Sequence, residues 1–430
     1  MFSSNSSNDL FSLLGGLDQS SGTGLGSSQT SSALSGMSSS FELMLMQALV
    51  RVLERLETMS AAPSNAPTAS AASSLAAQPY ASQSYAAPAS APAPIYPYAS
   101  AVQAYQPNAA EASAAVSGNL AVSPVANTSG STSALSLAEY PHPLQDNGRG
   151  MHWIPTVSSS PEVVDRYVAD LKAMHIKWVT FLNDATNVGA NDYLVQQLKA
   201  NGMEPVMRVY TSGVEPLNGD DLGAMVRHYK ALGVSYFQLY NEPNVTGENH
   251  GQAPDVNRYL DAWIPAAKVV TENGGLPGFG ALSPAGEFKD TDFLSQALDG
   301  LKARGETGLL DRAWLSIHNY QGDLAQDDPG GFARFKVYSD IVRQKLGRDL
   351  PEIGTEGGSF VSDSQSEAQR TARVTDCYRY MANREPYNFA YSYWNVANQA
   401  GGGHDPAWEG QALFRTDGQS PLVDALKNLA

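Results

Sequence analysis

Two glutamates stand in short segments whose residue types suit paired acid and base chemistry. Glu242 lies in QLYNEPN (238–244) and Glu356 in PEIGTEGG (351–358). One carboxylic acid can protonate a leaving oxygen while a second carboxylate attacks or stabilises the electron-poor carbon. Polar and aromatic side chains that could hold a substrate occur at comparable positions elsewhere in the chain: His152, Asn183, Arg208, Asn241, His318, Tyr320 and Trp394.

The elements that would position these residues alternate along the C-terminal part of the chain. Short apolar or aromatic runs recur about every 30 to 45 residues, with amphipathic stretches between them, which is typical of repeated βα units. The predicted strands cover 150–155, 177–184, 204–210, 236–243, 277–283, 313–320, 352–358 and 389–396.

The intervening segments carry helix signals. Ser160 followed by Pro161 predicts the start of one helix, and DDLGAMVRHYKAL predicts another after Asp220. Eight strands joined by right-handed crossovers predict an α/β fold, a closed (β/α)8 barrel of the TIM type. A doubly wound open sheet is the alternative, but no strand leads into a glycine-rich nucleotide loop or a Walker loop.

A barrel of this kind places its working residues at the carboxyl ends of the strands. Glu242 follows the fourth predicted strand and Glu356 lies on the seventh, and these strands face each other across the barrel mouth. Two converging carboxyl groups, with polar and aromatic neighbours, are what the hydrolysis of a glycosidic bond requires. A separation of about 5 to 5.5 Å would retain the anomeric configuration, and about 6.5 to 9.5 Å would invert it.

These segments resemble motifs of the clan A glycoside hydrolases. QLYNEPN is similar to the Asn-Glu-Pro motif at the end of strand four, and PEIGTEGG is similar to the strand-seven nucleophile segment. The resemblance implies that Glu242 is the general acid and base and that Glu356 is the nucleophile. It also implies that Asn241 donates a hydrogen bond to the sugar 2-hydroxyl. The resemblance spans about two thirds of the chain and is nearest to families 39 and 5.

The same resemblance implies roles for residues on other strands. His318 and Tyr320 would steer the nucleophile and the substrate, and Trp394 would form the floor of the −1 subsite. Arg208 resembles the arginine that supports the nucleophile. Gly357-Gly358 departs from the pattern, because many relatives carry a bulkier residue there. This departure leaves the identity of the substrate open.

Each candidate also has a plainer interpretation. Glu352 is a rival nucleophile, but four residues earlier on an extended strand it would lie about 13 Å deeper in the barrel than Glu356. The other candidates have a structural alternative, as packing, ion-pair or hydrogen-bonding support of the barrel: His152, Asn183, Arg208, His318, Tyr320 and Trp394.

The N-terminal third has a different composition. Residues 1–40 are rich in serine and glycine, and 60–138 in alanine, serine and proline, so both are predicted to be disordered. Between them, 41–59 has the apolar spacing of an amphipathic helix. Its apolar face needs a partner, which could be a second copy, the barrel or another protein. The predicted catalytic domain is 139–430.

Charge and composition exclude several classes of partner. The net charge of −16 disfavours nucleic acid, because phosphate binding uses clustered lysine and arginine. The single cysteine, Cys377, excludes an intramolecular disulfide and is expected to be a buried thiol. No metal-binding motif occurs, so no metal or cofactor is expected. No apolar run is long enough for a membrane span, and no standard secretory signal is seen, although a glycan substrate suggests a location outside the cytoplasm.

The resemblance and the residues together predict a retaining O-glycosyl hydrolase that cleaves an oligo- or polysaccharide by double displacement. Two alternatives share the same barrel. One is a transglycosylase, which would use every residue named above. The other is a glycan-binding adaptor that does not cut its ligand and is tethered through the N-terminal helix. A linker of about 80 residues would span on the order of 50 Å, which suits a polymer substrate near an anchor.

Overall fold

Eight parallel strands close into a barrel in which each strand pairs with the next and the last pairs with the first. The computed structural model describes residues 134–154, 157–359, 365–398 and 408–429. The strands are β1 Arg149–Trp153, β2 Trp178–Asn183, β3 Glu204–Val209, β4 Tyr236–Leu239, β5 Leu276–Leu282, β6 Trp314–Tyr320, β7 Glu352–Gly358 and β8 Asn388–Tyr393. The predicted (β/α)8 barrel is therefore confirmed.

Helices alternate with the strands and form the outer layer. They are α1 Pro161–Ala173, α2 Asp192–Ala200, α3 Gly219–Ala231, α4 Val256–Glu272, α5 Asp290–Ala303, α6 Arg334–Leu346, α7 Glu367–Tyr380 and α8 Pro421–Lys427. Short 3-10 turns cover Leu137–Glu139, Thr246–Asn249, Thr307–Asp311 and Met381–Asn383. A small hairpin, β9 Phe414–Arg415 and β10 Gly418–Gln419, follows the barrel. Pro161 begins α1 as its first residue, because its fixed φ suits that position.

The lower half of the barrel is filled by aromatic side chains from alternate strands. Trp178, Tyr236, Trp314 and Phe389 come from β2, β4, β6 and β8 and are almost fully buried. The ring centroids of Tyr236 and Trp314 lie 5.8 Å apart in an edge-to-face arrangement. A layer contributed by every second strand is the packing expected of a filled barrel. It fixes which residues of these strands point inward.

Residues just before β1 close the bottom of the barrel. Tyr140 is buried and its hydroxyl donates to the carbonyl of Ala313, while Leu135 and Leu137 pack against the aromatic layer. Residues Leu135 and Leu137, ahead of the predicted domain start at residue 139, thus pack against the barrel. The predictions for 1–40, for the helix 41–59 and for the linker up to residue 133 lie outside the described residues.

Two further features of the described residues bear on the sequence predictions. Cys377 on α7 is fully buried, as expected of a structural thiol. In this part of the chain, no helix combines the length and the apolar character needed to cross a membrane.

Glu352, at the start of β7, is a buried carboxyl group whose Oε2 atom has no hydrogen-bond partner. Burial raises its pKa well above the usual glutamate value, and the nearby Asp349 raises it further. At a pH below the pKa that Glu352 has in the unfolded chain, the carboxyl group is protonated in both the folded and the unfolded state. At a higher pH the unfolded chain loses this proton while the folded protein keeps it, so Glu352 lowers the free energy of unfolding as the pH rises.

We therefore expect Glu352→Gln to raise the melting temperature by a few degrees at pH 8 and to leave it nearly unchanged near pH 4. Thermal unfolding monitored by circular dichroism across this range measures the difference. Glu162→Gln, at an exposed position on α1, is the matched control. An effect of Glu352→Gln that is the same at every pH would contradict the titration of this carboxyl group.

Candidate active site

Glu242 lies just beyond the end of β4, in a strained part of the backbone. Tyr240 and Glu242 both adopt positive φ angles, 64° and 36°, which residues other than glycine rarely take. The Glu242 N–H donates to the carbonyl of Ala281, at 2.9 Å. Ala281 is the extra residue of a bulge on β5 and has a φ of 53°. Strain that is held in place by such contacts is typical of functional positions.

A second bulge turns Glu356 toward the barrel axis. On β7, Gly354 pairs with Ile317 of β6, but the next pair joins Glu356 to His318, so Thr355 is an extra residue. Thr355 also points inward, since its hydroxyl lies 2.8 Å from that of Ser316. Consecutive strand residues normally point to opposite faces. The bulge therefore allows Glu356 to enter the interior directly after Thr355.

Both carboxylate oxygens of Glu356 accept hydrogen bonds, one from across the barrel and one from the neighbouring strand. Arg208 Nη1 donates to Oε1 at 3.0 Å, and the Tyr320 hydroxyl donates to Oε2 at 2.6 Å. Burial raises the pKa of Glu356, but electrostatic interactions with His318 and Arg208 and the hydrogen bond from Tyr320 lower it by more. Its pKa thus lies well below the usual value, and the group is ionised at neutral pH.

His318 lies between the two glutamates. Its Nδ1 atom is 2.9 Å from Glu242 Oε1 and 3.7 Å from Glu356 Oε2, and the ring is fully buried. Burial lowers the pKa of His318, but Glu356 and Glu242 raise it by more, so the net shift is upward. One ligand atom from each of the three residues lies within 4.8 Å of the others. The two carboxyl groups therefore meet closely across the mouth of the barrel.

This trio also has the residue types of a metal site, because histidine nitrogen and carboxylate oxygen are common ligands. The Arg208 guanidinium, however, already lies 3.0 Å from Glu356 Oε1. A second cation at that carboxylate would be repelled by it. We therefore interpret the cluster as a carboxyl pair bridged by histidine.

His152, at the carboxyl end of β1, faces the nucleophile candidate with its polar atoms free. Nδ1 is 3.8 Å from Glu356 Oε1, and neither ring nitrogen makes a hydrogen bond to the described residues. Burial lowers the pKa of His152 to about 4 against the opposing effect of Glu356. The ring is therefore neutral at pH 7 and presents one donor and one acceptor. Buried polar groups without partners are rare, so this one suggests a ligand contact.

Trp394 follows β8 and lies beside the same cluster of side chains. Its backbone N–H donates to the carbonyl of Gly357 at 3.1 Å. Its ring packs edge-to-face against Tyr320, with centroids 6.4 Å apart, and against Trp408, at 5.1 Å. The indole is thus fixed beside the tyrosine that donates to Glu356.

The two glycines after Glu356 have a packing reason. A Cβ atom at Gly357 would lie 2.5 Å from Tyr391 Cε2, and one at Gly358 would lie 2.6 Å from Tyr393 Cδ2. Gly358 also has a φ of 115°, which disfavours any other residue. The departure from the clan pattern noted in the sequence is therefore explained by the two tyrosines of β8.

Asn241 lies beside Glu242, and its side chain bonds to a residue that the sequence analysis did not single out. Its Nδ2 atom donates to Glu248 Oε1 at 2.9 Å. Burial raises the pKa of Glu248, Arg208 lowers it, and Glu242 raises it. Glu248 is thus a third carboxyl group close to the pair. The only sequence signal was its place in the loop after strand four, six residues beyond Glu242.

Asn183 does not join this cluster, contrary to the predicted sugar contact. Its Oδ1 atom accepts from Asn191 Nδ2 at 2.7 Å and from the Tyr229 hydroxyl at 2.8 Å. Its Nδ2 atom donates to the carbonyl of Asp184 at 2.9 Å. The side chain points to the helical layer because it lies an odd number of residues after the inward-facing Trp178. Asn183 supports the loop that leads into α2.

Solved structures share this barrel. A monomeric β-xylosidase from Caulobacter crescentus CB15 has a TM-score of 0.50 at 16% identity over 67% of this chain and 68% of that one. A GH39 enzyme from Xanthomonas axonopodis pv. citri has a TM-score of 0.50 at 15% identity over 68% of this chain and 67% of that one. A GH39 β-xylosidase from Caulobacter crescentus has a TM-score of 0.49 at 15% identity, covering 68% of this chain and 72% of that one.

Comparisons of sequence alone give no match. No protein-family model fits the chain, and no curated protein matches it. At such low identities the structural likeness reports the fold. The resemblance to the clan A glycosidases, first carried by the two glutamate motifs, is thus confirmed at the level of the barrel.

Proposed function

We propose that this protein is a retaining O-glycosyl hydrolase that cleaves an oligo- or polysaccharide. The observation that carries the proposal is the closeness of Glu242 and Glu356, each of which brings one carboxylate oxygen within 4.8 Å of one on the other. Retaining enzymes need about 5 to 5.5 Å between the two carboxyl groups, whereas inverting enzymes need about 6.5 Å or more to admit a water molecule.

The environments of the two groups suit different roles. The ionised Glu356 attacks the anomeric carbon, and the bond from that carbon to the leaving oxygen breaks. Glu242 gives its proton to that oxygen as it departs. In the second step Glu242 takes a proton from water, whose oxygen attacks the anomeric carbon and releases Glu356 as a carboxylate. Arg208 and Tyr320 hold the nucleophile in line through both steps.

Several neighbours are suited to holding the sugar. Asn241 and the neutral His152 present polar atoms to hydroxyl groups, and the indole of Trp394 offers an apolar face to the ring. His318 is fully buried, lies 2.9 Å from Glu242 and 3.7 Å from Glu356, and so can hold the two carboxyl groups in place relative to each other. This set leaves the sugar and its linkage open.

Covalent trapping tests the proposal. A 2,4-dinitrophenyl 2-deoxy-2-fluoro glycoside transfers its sugar to the nucleophile of a retaining enzyme, and the resulting glycosyl-enzyme ester is hydrolysed only slowly. The full-length protein should therefore gain the mass of one sugar. We expect peptide mapping to place the sugar on Glu356. The panel should begin with β-xylosides and β-glucosides. A sugar attached to Glu352 would refute Glu356 as the nucleophile, and hydrolysis without any covalent adduct and with inverted product would refute the retaining mechanism.

Product analysis separates hydrolysis from transfer. Chromatography of the products from a natural glycan should show shortened chains with new reducing ends if water is the acceptor. Products longer than the starting glycan would instead indicate a transglycosylase. A protein that binds the glycan but forms neither adduct nor products would be the adaptor alternative.

A further inference from the structure

Glu248 lies near the two proposed catalytic glutamates but has no role in the reaction as proposed above. Its Oε1 atom accepts from Asn241 Nδ2 at 2.9 Å, although it is seven residues further along the chain. The side chain is half-buried, and it interacts electrostatically with Arg208, Glu242 and Glu356. A carboxyl group close to two others must be placed there by the surrounding backbone, because like charges repel.

The backbone around Glu248 is firmly held. The residue lies in the 3-10 turn Thr246–Asn249, and its carbonyl accepts from the N–H of Val214 at 3.1 Å. The side chain of Asn249 donates to the carbonyl of Pro243 at 2.9 Å. The turn is thus tied both to the loop after β3 and to the segment that carries Glu242. These hydrogen bonds hold the turn in place and so keep Glu248 next to Asn241.

The contact decides how the Asn241 amide is turned. A carboxylate accepts hydrogen bonds, so it selects the orientation in which Nδ2 faces Glu248. The Oδ1 atom then lies on the other side, where it is buried and has no partner among the described residues. The second Nδ2 hydrogen is also left available. Without the carboxylate, the amide could rotate by half a turn at little cost.

We propose that Glu248 is a positioning residue that fixes the Asn241 amide so that its free polar atoms meet the substrate hydroxyl next to the anomeric carbon. This role rests on the proposed glycosidase function and adds a source of specificity to it. Asn241 touches the substrate, and Glu248 acts only through Asn241. Its contribution should therefore depend on whether the substrate has that hydroxyl group.

A cycle of substrates and variants tests the proposal in the full-length protein. Aryl glycosides with and without the 2-hydroxyl are hydrolysed by the wild type, Asn241→Ala, Glu248→Ala and the double variant, and kcat/KM is measured for each pair. The preference is the ratio of kcat/KM for the glycoside with the 2-hydroxyl to kcat/KM for the one without it. When the preferences of a variant and the wild type are compared, differences in intrinsic reactivity between the two glycosides cancel. Losing one hydrogen bond to a partly charged group should reduce the preference for the 2-hydroxy substrate roughly 10- to 100-fold.

We expect Glu248→Ala and Asn241→Ala to reduce this preference by similar factors, and the double variant to reduce it no further. Glu248→Gln retains an oxygen acceptor and should recover part of the preference. Glu287→Ala is the matched control, because Glu287 accepts from the N–H of Thr246 at 2.9 Å and so supports the same turn without touching Asn241. It should leave the preference unchanged.

Different failures have different meanings. If Glu248→Ala slows both substrates by the same factor, or Glu287→Ala changes the preference equally, Glu248 has no specific role through Asn241. If Glu248→Ala fails to fold, the near-isosteric Glu248→Gln replaces it in the comparison with Asn241→Ala. A preference for the 2-hydroxy substrate that is lost as fully as in Asn241→Ala, or that is unchanged from the wild type, decides against the proposal. If the wild type hydrolyses neither glycoside while its trapping also fails, the proposed function itself is overturned.

Discussion

Glu356→Gln should reduce kcat on a competent glycoside by about 10⁴- to 10⁶-fold, the scale on which loss of a covalent nucleophile is felt. An amide is too weak a nucleophile to attack the anomeric carbon and form the glycosyl intermediate. The expected loss applies to activated aryl glycosides and to natural glycans alike, because both need this attack. Initial rates under saturating substrate measure it, and the melting temperature shows that the fold is kept.

A matched control lies on the same strand. Glu352→Gln makes the same chemical change four residues earlier in β7, at a buried carboxyl group whose charged neighbours are Asp349 and Arg343. It should leave kcat close to the wild-type value.

Removal of the nucleophile can also be compensated chemically. In Glu356→Ala, azide can occupy the space of the lost carboxylate and attack the anomeric carbon from the same side. The glycosyl azide should then have the inverted configuration, which NMR of the product identifies. A Glu356→Gln variant with activity within an order of magnitude of the wild type would contradict the nucleophile assignment.

The order of the strands was predictable because it depends on local patterns. Apolar runs separated by amphipathic stretches identify βα units, and counting them gives the fourth and seventh positions of Glu242 and Glu356. The end of the fourth strand was less predictable. The sequence predicts strand as far as Pro243, whereas β4 ends at Leu239. Tyr240 and Glu242 take positive φ angles that a strand cannot contain, and contacts with distant residues impose them.

The directions of side chains were harder to predict than the strands themselves. Whether a strand residue points inward depends on its parity relative to the core, and a bulge reverses that parity. The extra residue at Thr355 aims Glu356 inward, and no feature of the sequence PEIGTEGG indicates it. Asn183 shows the opposite case, in which a polar residue at a strand end points to the helices.

Glu248 escaped prediction for a different reason. It follows no strand directly, and its approach to Asn241 depends on a 3-10 turn whose placement is set by contacts with Val214 and Pro243. A glutamate in a polar loop is usually solvated, so its type alone carries little information. Such residues emerge only when the loops after the strands are seen together at the barrel mouth.

Glu242→Ala should have effects that depend on the leaving group. For a natural glycan or an alkyl glycoside, the departing oxygen needs a proton, so kcat/KM should fall about 10²- to 10⁴-fold, the usual contribution of a general acid. A 2,4-dinitrophenolate leaves without a proton, so the first step with this substrate should be nearly unaffected. The second step still loses its base, and the glycosyl enzyme should accumulate.

This difference gives a distinctive kinetic signature. Stopped-flow absorbance should show a burst of dinitrophenol equal to one equivalent of protein, followed by slow turnover. Azide should speed the slow phase, because it attacks without needing a base, and the product should be a glycosyl azide of retained configuration.

The control variant is Glu287→Gln, which changes an exposed glutamate near the same loop and should show neither burst nor azide dependence. Equal losses on dinitrophenyl and alkyl glycosides would mean that Glu242 does not transfer the proton. His318, which lies 2.9 Å from Glu242, would then be the next donor to test.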